Sequence, residues 1–182
     1  MLGYNTSIPR PPRDLDKARA LLKEAGVPEG TVLTLFTRNG GGPTNPNPTL
    51  GAQLLQSDLA KIGIKLDIRV MEWGEMLKRA KNGEHDLVST GWGGDNGDPD
   101  NFLTPQFSCA AVKSGTNFAR YCDPALDKLI SAGKTTSEQG VRSKLYQQAQ
   151  AQIQAAAVRI MKTDGFPASA AAPSGTLGSR AG

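Results

Sequence analysis

Chemistry-bearing residues are scarce in this 182-residue chain, which has one histidine, two cysteines, five Phe, three Tyr and two Trp. The lone histidine, His85, sits in a polar turn (NGEHD) with no Ser or Cys partner in the same motif. A hydrolase built on a nucleophile and a base would lack its parts, and a turn histidine of this kind is expected to face solvent. Cys109 and Cys122, thirteen residues apart, do not make a structural zinc pattern with one distant His. On the residues alone they are either one bridge or two buried thiols. No apolar run approaches the roughly 18 residues of a membrane span. Residues 1–12 lack an apolar core segment, so no signal peptide is expected in them, and the chain taken literally stays in the cytoplasm. There is no basic stripe either. The net charge is +4, yet positive and negative side chains cancel between Asp14 and Gln154. The surplus lies at the ends, in Arg10 and Arg13 and in Arg159, Lys162 and Arg180 against Asp164. No nucleic-acid partner is expected.

What is there reads as one globular domain, with 38% apolar and 21% charged residues on a length that suits a single core. Residues 14–26 (DLDKARALLKEAG) have an Asp cap, apolar positions at helical spacing and a Gly stop, the pattern of a helix. Residues 31–37 (TVLTLFT) predict a strand. After a Gly/Pro/Asn loop, Leu50, Leu54, Leu55, Leu59 and Ile62 recur at helical spacing and predict a helix over 49–62. Residues 64–71 (IKLDIRVM) alternate as a strand with one wet face, expected to pair with the first. A short helix over 73–81 and a third strand over 86–92 (DLVSTGW) complete a β-α-β-α-β order, which implies an α/β sheet with right-handed crossovers. A helix opened by Asp123-Pro124 and a longer one from 137 to about 155 follow. Beyond Gln154 the periodicity fails and small residues dominate; disorder is expected over 165–182.

The stretch RNGGGP (38–43) lacks the spaced glycines and the Lys-Ser/Thr pair of a phosphate loop and reads as a flexible turn. The segment 91–102 (GWGGDNGDPDNF) is more informative, because it leaves the C-terminal end of a predicted strand, where open α/β sheets place ligands. Three readings compete there. Asp95, Asp98 and Asp100 resemble the start of a calcium loop, but no Glu follows at the twelfth position and Pro99 interrupts it. The residues also suit a plain surface turn. As a binding pocket, Asp95 supplies a carboxylate for a cationic group, Trp92 walls the cleft, and Gly93 and Gly94 admit a ligand backbone.

The string EWGEMLKRAKNGEHDLVSTGWGGDNGDPDNFLTPQFSC (72–109) resembles the C-terminal lobe of the periplasmic dipeptide-binding proteins. These belong to the dipeptide/oligopeptide/nickel family of solute-binding proteins that serve ABC importers. Tyr4-Asn5, DxxKARxLLxEAG (14–26), AKIGI (60–64) and LYQQAQ (145–150) match as well, so the resemblance covers about residues 3–154. It implies an incomplete periplasmic-binding-protein-like lobe, a β-α-β-α-β core plus C-terminal helices. Residues 1–13 are then a connecting segment, 14–154 the lobe and 155–182 a low-complexity tail.

The resemblance also implies roles. The protein would be a non-catalytic peptide binder, working without a cofactor in the periplasm alongside a membrane permease. Asp95 would pair with the α-ammonium of a dipeptide or short peptide, and Trp92 would line its side-chain pocket. Cys109 and Cys122 would form a disulfide contributing about 3 kcal/mol by the loop-entropy relation. Cargo stays open among dipeptides, longer peptides, haem and nickel. Relatives in this family are longer, and the resemblance puts the rest of the first lobe, with the basic group for the peptide carboxylate, ahead of Met1. One jaw of the clamp alone is expected to bind weakly. The tail departs from the family pattern, which raises a frameshifted or truncated product that binds no peptide as the alternative.

Overall fold

Three short apolar segments form a parallel sheet in the computed structural model, which describes residues 2–9 and 12–163. β1 (Val32–Arg38) is central, flanked by β2 (Lys65–Met71) and β3 (Leu87–Val88), giving the order β2-β1-β3. β1 and β2 pair along their full length from Val32 opposite Lys65 to Arg38 opposite Met71. Parallel neighbours need crossovers, and helices supply them: α2 (Pro48–Ala60) joins β1 to β2, and α3 (Trp73–Asn82) joins β2 to β3. An earlier helix, α1 (Leu15–Glu24), is capped by the Asp14 carboxylate, which accepts from the Lys17 N–H.

Strand alternation sends successive β1 side chains to opposite faces. Leu33 and Leu35 join Ala52, Ile64 and Leu66 in one buried cluster, with Leu22 of α1 and Leu59 of α2 against it. Phe36 is completely buried, and the Arg79 guanidinium of α3 lies 5.1 Å from its ring centre. The rest of the chain is helical: α4 (Asp100–Phe107), α5 (Cys109–Ser114), α6 (Pro124–Thr135) and α7 (Gln139–Thr163). Leu103, Leu126, Ile130, Tyr146 and Ala149 form their core. Gly133 lets α6 approach α7, since a Cβ there would fall 2.6 Å from the Tyr146 ring. The N-terminal segment runs along α7, where Asn5 bonds Gln147 and Gln150.

The α/β order is as the sequence implies, but five details differ. The leucines Leu50, Leu54 and Leu55 of α2 are exposed, and the helix instead turns Ala52, Gln56 and Leu59 toward the sheet. Gln56, though exposed, is tied to the sheet, its Nε2 donating to the Leu66 carbonyl at 2.8 Å. The third strand is two residues long, not seven, because it leaves the sheet once Ser89 N–H has bonded the Phe36 carbonyl. Helices α4 and α5 arise where only a loop and a Cys-bracketed stretch were expected. The long helix continues past Ala155 to Thr163; the disorder expected over 165–182 lies outside the described residues. His85 is half-buried against Phe36, with ring centres 5.6 Å apart, and does not face solvent.

Candidate functional site

Loop 89–99 leaves the C-terminal edge of β3, and loop 39–47 leaves the same edge of β1. The two meet where Gly91 lies against Thr44; a side chain at Gly91 would collide with the threonine hydroxyl. Adjacent loops at the C-terminal ends of parallel strands form the crevice in which open α/β sheets bind ligands. Loop 89–99 is tied down from its far end. Asn101, in the first turn of α4, accepts at Oδ1 from the Asp95 N–H (3.2 Å) and, more loosely, from Trp92 Nε1 (3.5 Å). One side chain thus sets the positions of both predicted ligand contacts. Trp92 is 38% exposed, Asp95 is exposed, and nothing lies within 4 Å of where a side chain at Gly93 would begin. Gly94 has a different neighbour: the Phe102 ring fills the space beside it, so the chain's own packing accounts for that glycine.

The three acids of DNGDPD separate by partner. Both Asp98 oxygens accept from Arg142 Nη2 at 2.9 Å, and Asp98 also accepts from the Asp100 N–H. Asp100 bonds the Thr104 hydroxyl and stands 3.9 Å from Lys134. Among the described residues no cationic side chain pairs with Asp95. The converging oxygens that a calcium loop needs are not assembled, because two of the carboxylates face the protein's own donors. What the loop offers to a ligand is a single exposed carboxylate beside an indole.

Arg142 is the anchor. Its Nε donates to the Gly133 carbonyl at 2.8 Å and its Nη2 also reaches the Tyr146 hydroxyl at 3.2 Å, so α6, α7 and loop 89–99 converge on one guanidinium. Burial pushes the Asp98 carboxyl up, but the Asp100 N–H and the Arg142 guanidinium outweigh it and hold it below the ordinary carboxylate value. The hydrogen bonds that Arg142 donates to Asp98 in turn raise the pKa of the guanidinium. Asp98 is therefore ionised and neutralised within the fold.

The sequence model of the bacterial extracellular solute-binding proteins, family 5, middle region, matches residues 1–114. The chain belongs to this family. A probable di/tripeptide-binding protein 5 of Pseudomonas aeruginosa (strain UCBPP-PA14) is 64% identical over 148 residues, 81% of this chain and 28% of that protein. Among solved structures, HbpA2 from Haemophilus parasuis superposes with a TM-score of 0.80 at 41% identity, over 84% of this chain and 30% of that one. The dipeptide-binding protein from Pseudoalteromonas sp. SM9913, in complex with Met-Leu, gives 0.74 at 38% identity, over 77% and 28%. The chain thus spans less than a third of the length of these family 5 relatives, and its fold is that of their lobe.

Within this family 5 lobe, Cys109 and Cys122 form a disulfide with Cα atoms 4.7 Å apart. Asn117 holds the enclosed loop by donating to the Tyr121 carbonyl at 2.9 Å and the Ser108 carbonyl at 3.3 Å. Sequence reasoning missed Asn101, Phe102, Thr44 and Arg142 as parts of the site's frame. Asn101 and Phe102 stand inside the DNGDPDNF string itself, but the six-residue reach from Asn101 to Asp95 is longer than the local turn and cap patterns a sequence shows. Arg142 lies 44 residues from Asp98, and nothing local announces that pairing.

Proposed function

We propose that the chain is part of the solute-binding component of an ABC importer for short peptides, di- and tripeptides foremost, and that it carries the side of the cleft that holds the peptide's α-ammonium. The observation that carries this reading is the exposed Asp95 carboxylate, alone among the loop's acids in having no cationic partner within the described residues. An ammonium donates charge-assisted hydrogen bonds to such a carboxylate, and closure of a second lobe strengthens them by removing water. Trp92 supplies an apolar wall for a side chain and the open backbone at Gly93 leaves room for a main chain. The di/tripeptide-binding relative and the Met-Leu complex favour the same ligand class.

The function needs no covalent chemistry, so the chain acts as a binder and not as an enzyme. Residues 1–13 are a connecting segment and the lobe proper starts at 14, its last helix running on past 154 to Thr163. The periplasm is the working compartment, which the disulfide supports because such bonds persist in oxidising surroundings. A membrane permease is the partner that takes the peptide onward.

Calorimetry with a dipeptide on this chain, joined to the remaining portion of a family 5 relative, tests the reading. Binding is expected, and Asp95→Asn should weaken it at least about tenfold, since a hydrogen bond to a charged group contributes about 1.5–3 kcal/mol. Unchanged affinity in that variant would remove Asp95 from the site.

A further inference from the structure

β2 ends the sheet on one side: it pairs with β1, and among the described residues no strand lies beyond it. In a parallel ladder alternate residues turn both their N–H and their C=O toward the same neighbour. The Lys65 N–H bonds the Thr31 carbonyl, and the Met71 carbonyl accepts from the Asn39 N–H. Lys65, Asp67, Arg69 and Met71 therefore face β1, and Leu66, Ile68 and Val70 turn their backbone groups to the open side. Gln56 of α2 reaches over to this side, where its Nε2 donates to the Leu66 carbonyl. A carbonyl oxygen has a second lone pair, so even this group can accept another bond. An open edge of this kind is a template for a further strand.

Charges along an edge usually keep other chains away. Here both signs are present, and their order makes the strand KLDIRVM complementary to itself. Laid antiparallel on a second copy with Ile68 opposite Ile68, β2 overlaps along its whole length. Asp67 then falls opposite Arg69 on both sides of the two-fold axis, and Lys65 opposite Met71. These are the pairs without hydrogen bonds between them, whose side chains come closest. Arg69 and Asp67, now joined within one chain at 2.6 Å, are both partly exposed and free to exchange partners. Leu66 falls opposite Val70 on the face toward α2, which covers the exposed valine. Sliding the copy by two residues sets Asp67 against Asp67 or Arg69 against Arg69, and sliding by one turns the apolar set to the wrong face. We propose that β2 is the docking edge for a second copy of this chain, joined in this register as a closed two-fold dimer. β1 separates β2 from β3, so the pairing leaves the loop of Asp95 clear.

Sedimentation of the 182-residue chain from about 10 μM to about 1 mM reads the association directly. The mass should rise with concentration from 19.2 kDa toward twice that value. Over the same range, amide exchange at Ile68 and Val70 should slow, while Asp67 and Arg69, already bonded to β1, change less. Asp67→Arg and Arg69→Asp should each weaken the dimer at least about tenfold, because the axis repeats every like-charge contact. An equimolar mixture of the two variants should restore it, since each like-charge contact becomes an opposite one. A chain that stays at 19.2 kDa throughout would overturn the proposal. So would a dimer that leaves exchange at Ile68 and Val70 unchanged, or one that both substitutions leave intact.

Discussion

Asp95 and Asp98 are three residues apart in one loop, and Arg142 separates their roles. By bonding both Asp98 oxygens it leaves Asp95 as the acid of the loop with no cationic partner among the described residues. Asp98→Asn should cost about 1 kcal/mol of stability, the usual net value of a hydrogen bond, and should loosen loop 89–99. A lowered denaturation midpoint together with faster amide exchange at residues 92–95 would check this. His85 sets a pH dependence. Burial is the leading cause that lowers its pKa below 6.5, the Arg120 charge acts in the same sense, and the bond to the Phe118 backbone and the Asp86 charge oppose them. The folded state thus favours the neutral ring. Its contribution is complete above pH 6.5 and is lost as the pH falls through the lower folded value. Thermal melts should be flat from about pH 8 to 7 and decline below 6.5, and His85→Asn should remove the part of that decline due to this group. Trp92, Gly93 and Asp95 were legible as residues because turn chemistry and a sheet's C-terminal edge are local facts. Arg142 was not, since its meaning depends on the acid it faces in space, 44 residues away in the chain.

At the scale of elements, the disulfide joins the start of α5 to the segment before α6 and encloses the buried Asn117. Replacing both cysteines by serine should lower stability by about 3 kcal/mol on the loop-entropy relation. Denaturant midpoints of the two forms would show it, and coincident curves would contradict it. Helices with strong caps were easy to read: Asp14, Asp123 and Glu72 each bond the backbone N–H groups they precede. Elements defined by their neighbours were not. β3 ends after Val88, short of the Trp92 to which the strand was expected to run, and pairs with β1 alone over two residues. The inner face of α2 is narrow, Ala52 with Leu59 and not the leucine stripe, and Gln56 ties the helix to a carbonyl on β2. α7 carries its helix past the point where periodicity fades, since Ala-rich sequence is helical without an apolar stripe.

At the scale of the molecule, loops 39–47 and 89–99 of this family 5 lobe meet at the C-terminal edge of the sheet, and α4, α6 and α7 brace the second of them. The charge balance of residues 14–154 fits a protein whose selectivity comes from a few placed charges and not from an overall field. The central claim is that the ammonium end of a peptide docks at Asp95. Backbone amide shifts of the 182-residue chain, recorded with Ala-Ala and with N-acetyl-Ala-Ala, test it most directly. Perturbations concentrated at residues 91–96 with the free peptide, and largely absent with the acetylated one, are the predicted result. Equal perturbation by both, or shifts confined to other faces of the lobe, would contradict it.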